Sequence, residues 1–280
     1  MSKLKILVLT DFSKLADVAM KYAARMSHTI EAEYTIVNVV RVDGIPKSNM
    51  RLKSIEREML EAAQIEGDQQ KNELLKEARV GSIVHFKPIK GHTVAEAVEL
   101  YVKKNPTDLL VMGSQGASSL KKLRLGGTAV AVIETCPVPV LTVPKWAGFK
   151  NFGTVVYASD LKNIQKELDT IVPFAKLFNT TIHMVHVVNS IDKKVDALKS
   201  EVEKLIQKTN YSKISFKILI DDNIPEAIDG FIKSTKADLL TTFTHELTLY
   251  EKLFGLSVTR TLAYQGNIPL LAFKRRTQKS

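Results

Sequence analysis

The stretch Asp108–Val143, DLLVMGSQGASSLKKLRLGGTAVAVIETCPVPVLTV, decides how the rest of the chain is read. Leu109–Met112 is a short apolar run of the kind that forms a buried strand. Gly113 and Gly116 break it. Gly126 and Gly127 then open a helical run, Thr128–Thr135, and a second apolar run, Val138–Val143, follows Pro137. A backbone that must touch an anion needs residues without a Cβ and with access to positive φ. A helix start adds unpaired N–H groups and the positive end of the helix dipole. Lys121, Lys122 and Arg124 lie in the intervening loop, where they would meet a polyphosphate. The stretch therefore has the parts of a phosphate cradle. It contains neither G-x-x-x-x-G-K-[ST] nor G-x-G-x-x-G after a strand. On spacing alone, glycines that serve only as turns explain it equally well.

Working outward, strands and helices alternate. Residues 4–10 form an apolar strand. Ser13 is placed to cap a following helix, with Asp17 in its first turn and Leu15, Val18, Ala19, Tyr22, Ala23 and Met26 at helical spacing. Glu33–Val42 is strand-like, and Asp43–Pro46 is a turn. Ser48–Arg79 is a charged amphipathic helix with a weak point at Gly67-Asp68. Ile83–Ile89 is a strand, and Thr93–Lys104 a helix whose Thr93 and Glu96 form a capping box. Such alternation implies a parallel sheet covered on both faces.

Pro144–Gly153, PKWAGFKNFG, interrupts the pattern, which then restarts. TVVYASD, ending at Asp160, matches KILVLTD, ending at Asp11. A helix interrupted and kinked at Pro173 follows, then a strand at Thr181–Val188, a helix at Asp192–Lys208 and a strand at Ile214–Ile220. Thereafter the halves align without gaps. Glu96-Ala97 meets Glu226-Ala227, Asp108-Leu109-Leu110 meets Asp238-Leu239-Leu240, and Pro139 meets Pro269. An internal duplication accounts for this, with a longer middle in the first copy. The expected division is a domain at 1–144, a linker at 145–153, a second domain at 154–274 and a basic tail at 275–280. In that alignment Gly113, Gly116 and Gly126 meet Phe243, Glu246 and Leu256. The second copy keeps the scaffold without the glycines, so an anion is expected at this loop in the first domain only.

The spacing G-x2-G-x9-G, the preceding strand, the following Cys-Pro-Val-Pro-Val and the opening ILVLTDFS, Ile6–Ser13, together resemble the universal stress protein family. The resemblance covers nearly the whole chain. It implies a fold of two similar doubly wound α/β domains, each a mostly parallel five-stranded sheet with helices on both faces. It also implies ATP or another adenine nucleotide as ligand, with or without a magnesium ion. The implied contacts are Thr10, Asp11, Val39, Met112, Gly113, Gly116, Gly126, Gly127 and Thr128. Asp11 would reach the adenosine part and Val39 the adenine, while Met112 would lie beside the ligand with its backbone. Two positions depart from the family pattern. Gly127 stands where Ser or Thr usually follows the last glycine, and Leu9 stands where Pro is frequent. In the family the last strand, here Val138–Val143, pairs domains across a pseudo-two-fold axis. The resemblance thus implies an intrachain pseudo-dimer, with a homodimer of chains as a further partner state.

Composition narrows the classes. The 280 residues, 45% hydrophobic and 25% charged, suit a soluble two-domain protein. No run approaches the roughly 20 apolar residues of a membrane span, and a single cysteine, Cys136, fits a reducing, cytoplasmic setting. The net charge of +10 is spread thinly apart from Lys274, Arg275, Arg276 and Lys279, with no recognition motif, so a nucleic-acid partner is not expected. His183 and His186 face opposite sides of one strand, and no catalytic triad or metal set is legible. The expected function is regulatory, with ATP occupancy biasing association. A slow ATPase or other nucleotide-processing enzyme, and an interaction protein that binds no nucleotide, are the alternatives.

Overall fold

A computed structural model of the chain describes residues 3–41, 49–114, 125–190, 194–244 and 268–274. The backbone divides into two compact units, Met1–Phe149 and Lys150–Ser280.

The first unit runs β1 (Leu4–Thr10), α1 (Lys14–Met26), β2 (Ala32–Val40), α2 (Asn49–Glu77), β3 (Ile83–Lys90), α3 (Val94–Lys104), β4 (Leu109–Gly113), α4 (Gly127–Thr135) and β5 (Val140–Val143). Its strands lie in the order β3-β2-β1-β4-β5, all parallel. β1 is buried continuously from Ile6 to Thr10, as a strand covered on both faces must be. β3, at the edge, alternates between exposed and half-buried residues over most of its length. In α1 the buried residues include Ala16, Ala19, Met20 and Ala23, whereas Leu15 and Val18 are only half-buried. Four of the six expected positions, Ala19, Tyr22, Ala23 and Met26, are buried, and Ala16, Met20 and Ala24 widen the buried face.

α2 is a single helix of 29 residues. It runs through Gly67-Asp68, the expected weak point, and the structure supplies a different reason for the glycine. A Cβ on Gly67 would stand 2.1 Å from the Phe86 ring of β3. The residue is small because a strand side chain occupies the space its own side chain would take.

The second unit runs β6 (Thr154–Ala158), α5 (Ile164–Phe178), β7 (Thr181–Val188), α6 (Lys194–Gln207), β8 (Ile214–Ile220), α7 (Ile224–Thr235), β9 (Leu239–Thr244) and β10 (Leu270–Lys274). Its order is β10-β9-β6-β7-β8, again all parallel. α5 continues through Pro173, where an interruption was expected. Within the stretch expected to be a linker, two aromatics have packing partners. The Phe149 ring meets Tyr22 edge-on at 5.2 Å, and Phe152, fully buried, packs on Phe174 and Phe178.

Strand registers make the duplication physical. Ile6 pairs with Leu109 and Tyr34, as Val155 pairs with Leu239 and Ile182. Asp108 donates its N–H to the Lys5 carbonyl and accepts the Lys5 N–H on Oδ2, at 2.9 and 2.8 Å. Asp238 makes the same two bonds with Thr154, at 2.8 and 2.9 Å. The first copy is longer between its second and third strands, where α2 has 29 residues and α6 has 14. Among the described residues no helix is long and apolar enough to cross a membrane.

Candidate functional site

In a sheet ordered 3-2-1-4-5 the chain reverses direction between the first and fourth strands, which opens a crevice at their carboxyl ends. In the first unit that crevice is flanked by Thr10-Asp11 after β1 and Gly113-Ser114 at the end of β4.

The turn after β1 is tightly specified. Thr10, 4% exposed, accepts the Phe12 N–H on Oγ1 at 3.0 Å. Asp11 accepts the Ser13 N–H on Oδ1 at 3.1 Å, and Ser13 caps α1 by accepting the Ala16 N–H at 3.2 Å. Between them Phe12 has φ 60, a left-handed conformation that costs a residue with a Cβ about 1–2 kcal/mol. Asn38 on β2 donates from Nδ2 to the Thr10 carbonyl at 3.0 Å, which ties the turn to the next strand. Val39 follows it, half-buried, at the end of β2.

At β4, Met112 is buried and Gly113 pairs with Val143. The Ser114 N–H donates to the Val143 carbonyl at 2.9 Å, and the Ser114 carbonyl accepts the Gly126 N–H at 2.8 Å. That second bond closes the loop and brings the start of α4 to the end of β4. Gly126, the N-cap residue, offers no side-chain cap, unlike Ser13 at α1 and Thr93 at α3. The Gly126 N–H is spent on Ser114, so the donors of the first helical turn are Gly127, Thr128 and Ala129. Gly127 and Thr128 are exposed, and a Cβ on Gly127 would meet nothing within 4 Å. Gly116, with Lys121, Lys122 and Arg124, lies outside the described residues.

A model of the universal stress protein family matches residues 4–144. The chain belongs to the universal stress protein family. A universal stress protein of Methanocaldococcus jannaschii is 31% identical over 146 residues, which is 50% of this chain and 82% of that one. A second from the same organism is 28% identical over 155 residues, 50% of this chain and 94% of its own. A universal stress protein structure from Archaeoglobus fulgidus DSM 4304 superposes with a TM-score of 0.69, covering 99% of this chain and all of that one at 18% identity. That last likeness extends the fold of the family over both units.

The second unit repeats the turn and alters the other wall. Leu161, with φ 59, stands where Phe12 does. Its N–H goes to Ser159 Oγ at 3.0 Å, and the Lys162 N–H to Asp160 Oδ1 at 3.0 Å. The Ser159 carbonyl is met by His186 Nδ1 at 2.9 Å, where the first copy uses Asn38. At the end of β9, however, Gly113 is replaced by Phe243. Its ring is buried, stacked on Phe273 at 4.9 Å and edge-on to Tyr157 at 5.7 Å. Tyr157, also buried, donates its hydroxyl to the buried carboxylate of Glu167 on α5. Glu246 and Leu256 lie outside the described residues.

Among the described residues no three His, Cys, Asp or Glu side chains gather as metal ligands. Cys136, the single cysteine of the chain, is buried. His183 lies 2.7 Å by Nδ1 from Ser215 Oγ across the β7–β8 pair, and burial lowers its pKa. Sequence reasoning missed Asn38, the Ser114 carbonyl and the left-handed Phe12. Each acts through backbone geometry that no residue-type motif encodes.

Proposed function

We propose that the chain binds ATP, or another adenine nucleotide, at the carboxyl edge of its first unit, and that occupancy biases its association with partners rather than driving a chemical step. Asp11 and Val39 take the adenosine part, with the Met112 backbone alongside. Thr10, whose side chain is turned to the Phe12 N–H, shapes the turn from which Asp11 projects. Gly113 and Gly116 allow close approach. The N–H groups of Gly127 and Thr128, and the Thr128 hydroxyl, meet phosphate oxygens. Hydrogen bonds to a charged group are worth about 1.5–3 kcal/mol each, so three supply about 4.5–9 kcal/mol, against roughly 8 kcal/mol for micromolar affinity. A magnesium ion accompanying the nucleotide would be held largely by its phosphate oxygens.

The observation that supports this reading best is the Gly126–Ser114 hydrogen bond, because it brings an uncapped, exposed helix start to the edge that also presents Asp11. The test is to purify the protein, denature it and identify the released small molecules by mass spectrometry, with calorimetric titration of ATP. Released ATP is the expected result. ADP, with turnover of added Mg-ATP, would favour a slow ATPase. No released nucleotide and no titration signal would leave an interaction protein.

A further inference from the structure

We infer that Phe12 and Phe86 are positioning residues that hold Asp11 at the nucleotide edge, and that Gly67 is glycine to let them do so. This rests on the reading that Asp11 meets the ligand. A bulky residue in the left-handed region persists only where its surroundings over-determine it. Two of the constraints on Phe12 are local, the bonds to Thr10 and Asp11 described above. The third is long-range. The Phe12 ring packs on Phe86 of β3, with centroids 6.2 Å apart and planes tilted by 38°. Phe86 in turn lies so close under α2 that a Cβ at position 67 would enter its ring. A chain of packed groups therefore runs from α2 through β3 to the residue that orients Asp11.

The second copy provides an internal control. It keeps the left-handed residue as Leu161, and Phe216 stands at the position of Phe86. α6 contains no glycine. The aromatic pair is thus present in the copy whose fourth strand ends in Gly113 and absent where it ends in the Phe243 cluster. The turn itself forms without the pair, so the rings are not needed merely to make the bend. Their contribution is to fix the bend's direction.

The experiment compares Phe86→Ala and Phe12→Gly with Tyr34→Phe. The last removes the buried Tyr34 hydroxyl bond to the Ala23 carbonyl and weakens the same unit without touching the turn. Glycine at position 12 relieves the strained backbone, so a purely structural role predicts intact binding. The positioning role predicts that both ring variants weaken ATP by about tenfold, as small misplacements of a binding group do, while Tyr34→Phe leaves affinity unchanged. In the absence of nucleotide, the amide resonances of Phe12 and Ser13 should move in Phe86→Ala and not in Tyr34→Phe. Unchanged affinity in both ring variants, with unchanged Phe12 and Ser13 resonances in Phe86→Ala, overturns the inference. If wild-type protein fails to bind ATP while those resonances still move, the functional reading falls and the positioning of Asp11 stands.

Discussion

The two carboxyl edges differ less at the first strand than at the fourth. After β1 and after β6 the chain makes one turn twice, with a left-handed residue held by the same pair of hydrogen bonds. At β4 and β9 the copies diverge, to a glycine in one and to a buried aromatic stack in the other. The turn therefore belongs to the fold. It forms equally well beside Phe243, so the Asp11 turn alone says nothing about a ligand. Among the described residues, what distinguishes the copies is Gly113 at the end of β4 where Phe243 stands at the end of β9. In the second copy Tyr157, Phe243 and Phe273, from three strands, pack together, each burying apolar surface worth about 1.5–3 kcal/mol.

The most damaging way to erase that difference is to write the second copy into the first. Gly113→Phe places a ring at the end of β4, where close approach of phosphate needs bare backbone. Loss of ATP binding by at least about a hundredfold is expected, since two charge-assisted bonds of about 1.5 kcal/mol each would be lost. Titration calorimetry measures it, and circular dichroism confirms that the unit stays folded. Binding within a few fold of wild type would show that the glycine is only a turn.

A smaller effect separates the two aspartates. Asp11→Asn keeps an oxygen for the Ser13 N–H and so keeps the turn, but removes the charge offered to the ligand. Affinity should fall by about tenfold, the worth of one hydrogen bond to a charged group. Asp160→Asn, its counterpart beside the filled wall, should leave affinity unchanged. Equal losses would mean that both edges bind, and the contrast between the copies would collapse.

Much of this was legible before the structure. Alternating strands and helices, the Ser13 and Thr93 caps, and the restart at Thr154 all follow from periodicity and local chemistry. The gapless match of Asp108 to Asp238 pointed to equivalent positions, and each proves to be a strut to the first strand of its own copy. The misses are those of long-range contact. Gly67 reads as a helix breaker in sequence because its reason, the Phe86 ring, lies on another element. Asn38 and His186 share a job and a register position but differ in residue type, so alignment by identity passes over them. Gly126 was expected to offer its N–H to phosphate, whereas that N–H closes the loop, a choice made by the path of the chain rather than by the residue.

The smallest and most discriminating effect concerns Gly127, where the family usually has Ser or Thr. Nothing lies within 4 Å of a Cβ built there, and its φ is not in the left-handed region, so no steric or backbone reason requires glycine. Gly127→Ser should restore a hydroxyl at the helix start and tighten ATP by roughly fivefold, about 1 kcal/mol for one added hydrogen bond. Serine also raises helix propensity over glycine, by a few tenths of a kcal/mol, and could improve binding by ordering α4 alone. Gly127→Ala separates the two causes, because alanine raises propensity further and brings no hydroxyl. If the phosphate reading holds, serine exceeds alanine in affinity while alanine exceeds serine in thermal stability. If alanine matches or exceeds serine in both, the first turn of α4 is not where the phosphates sit.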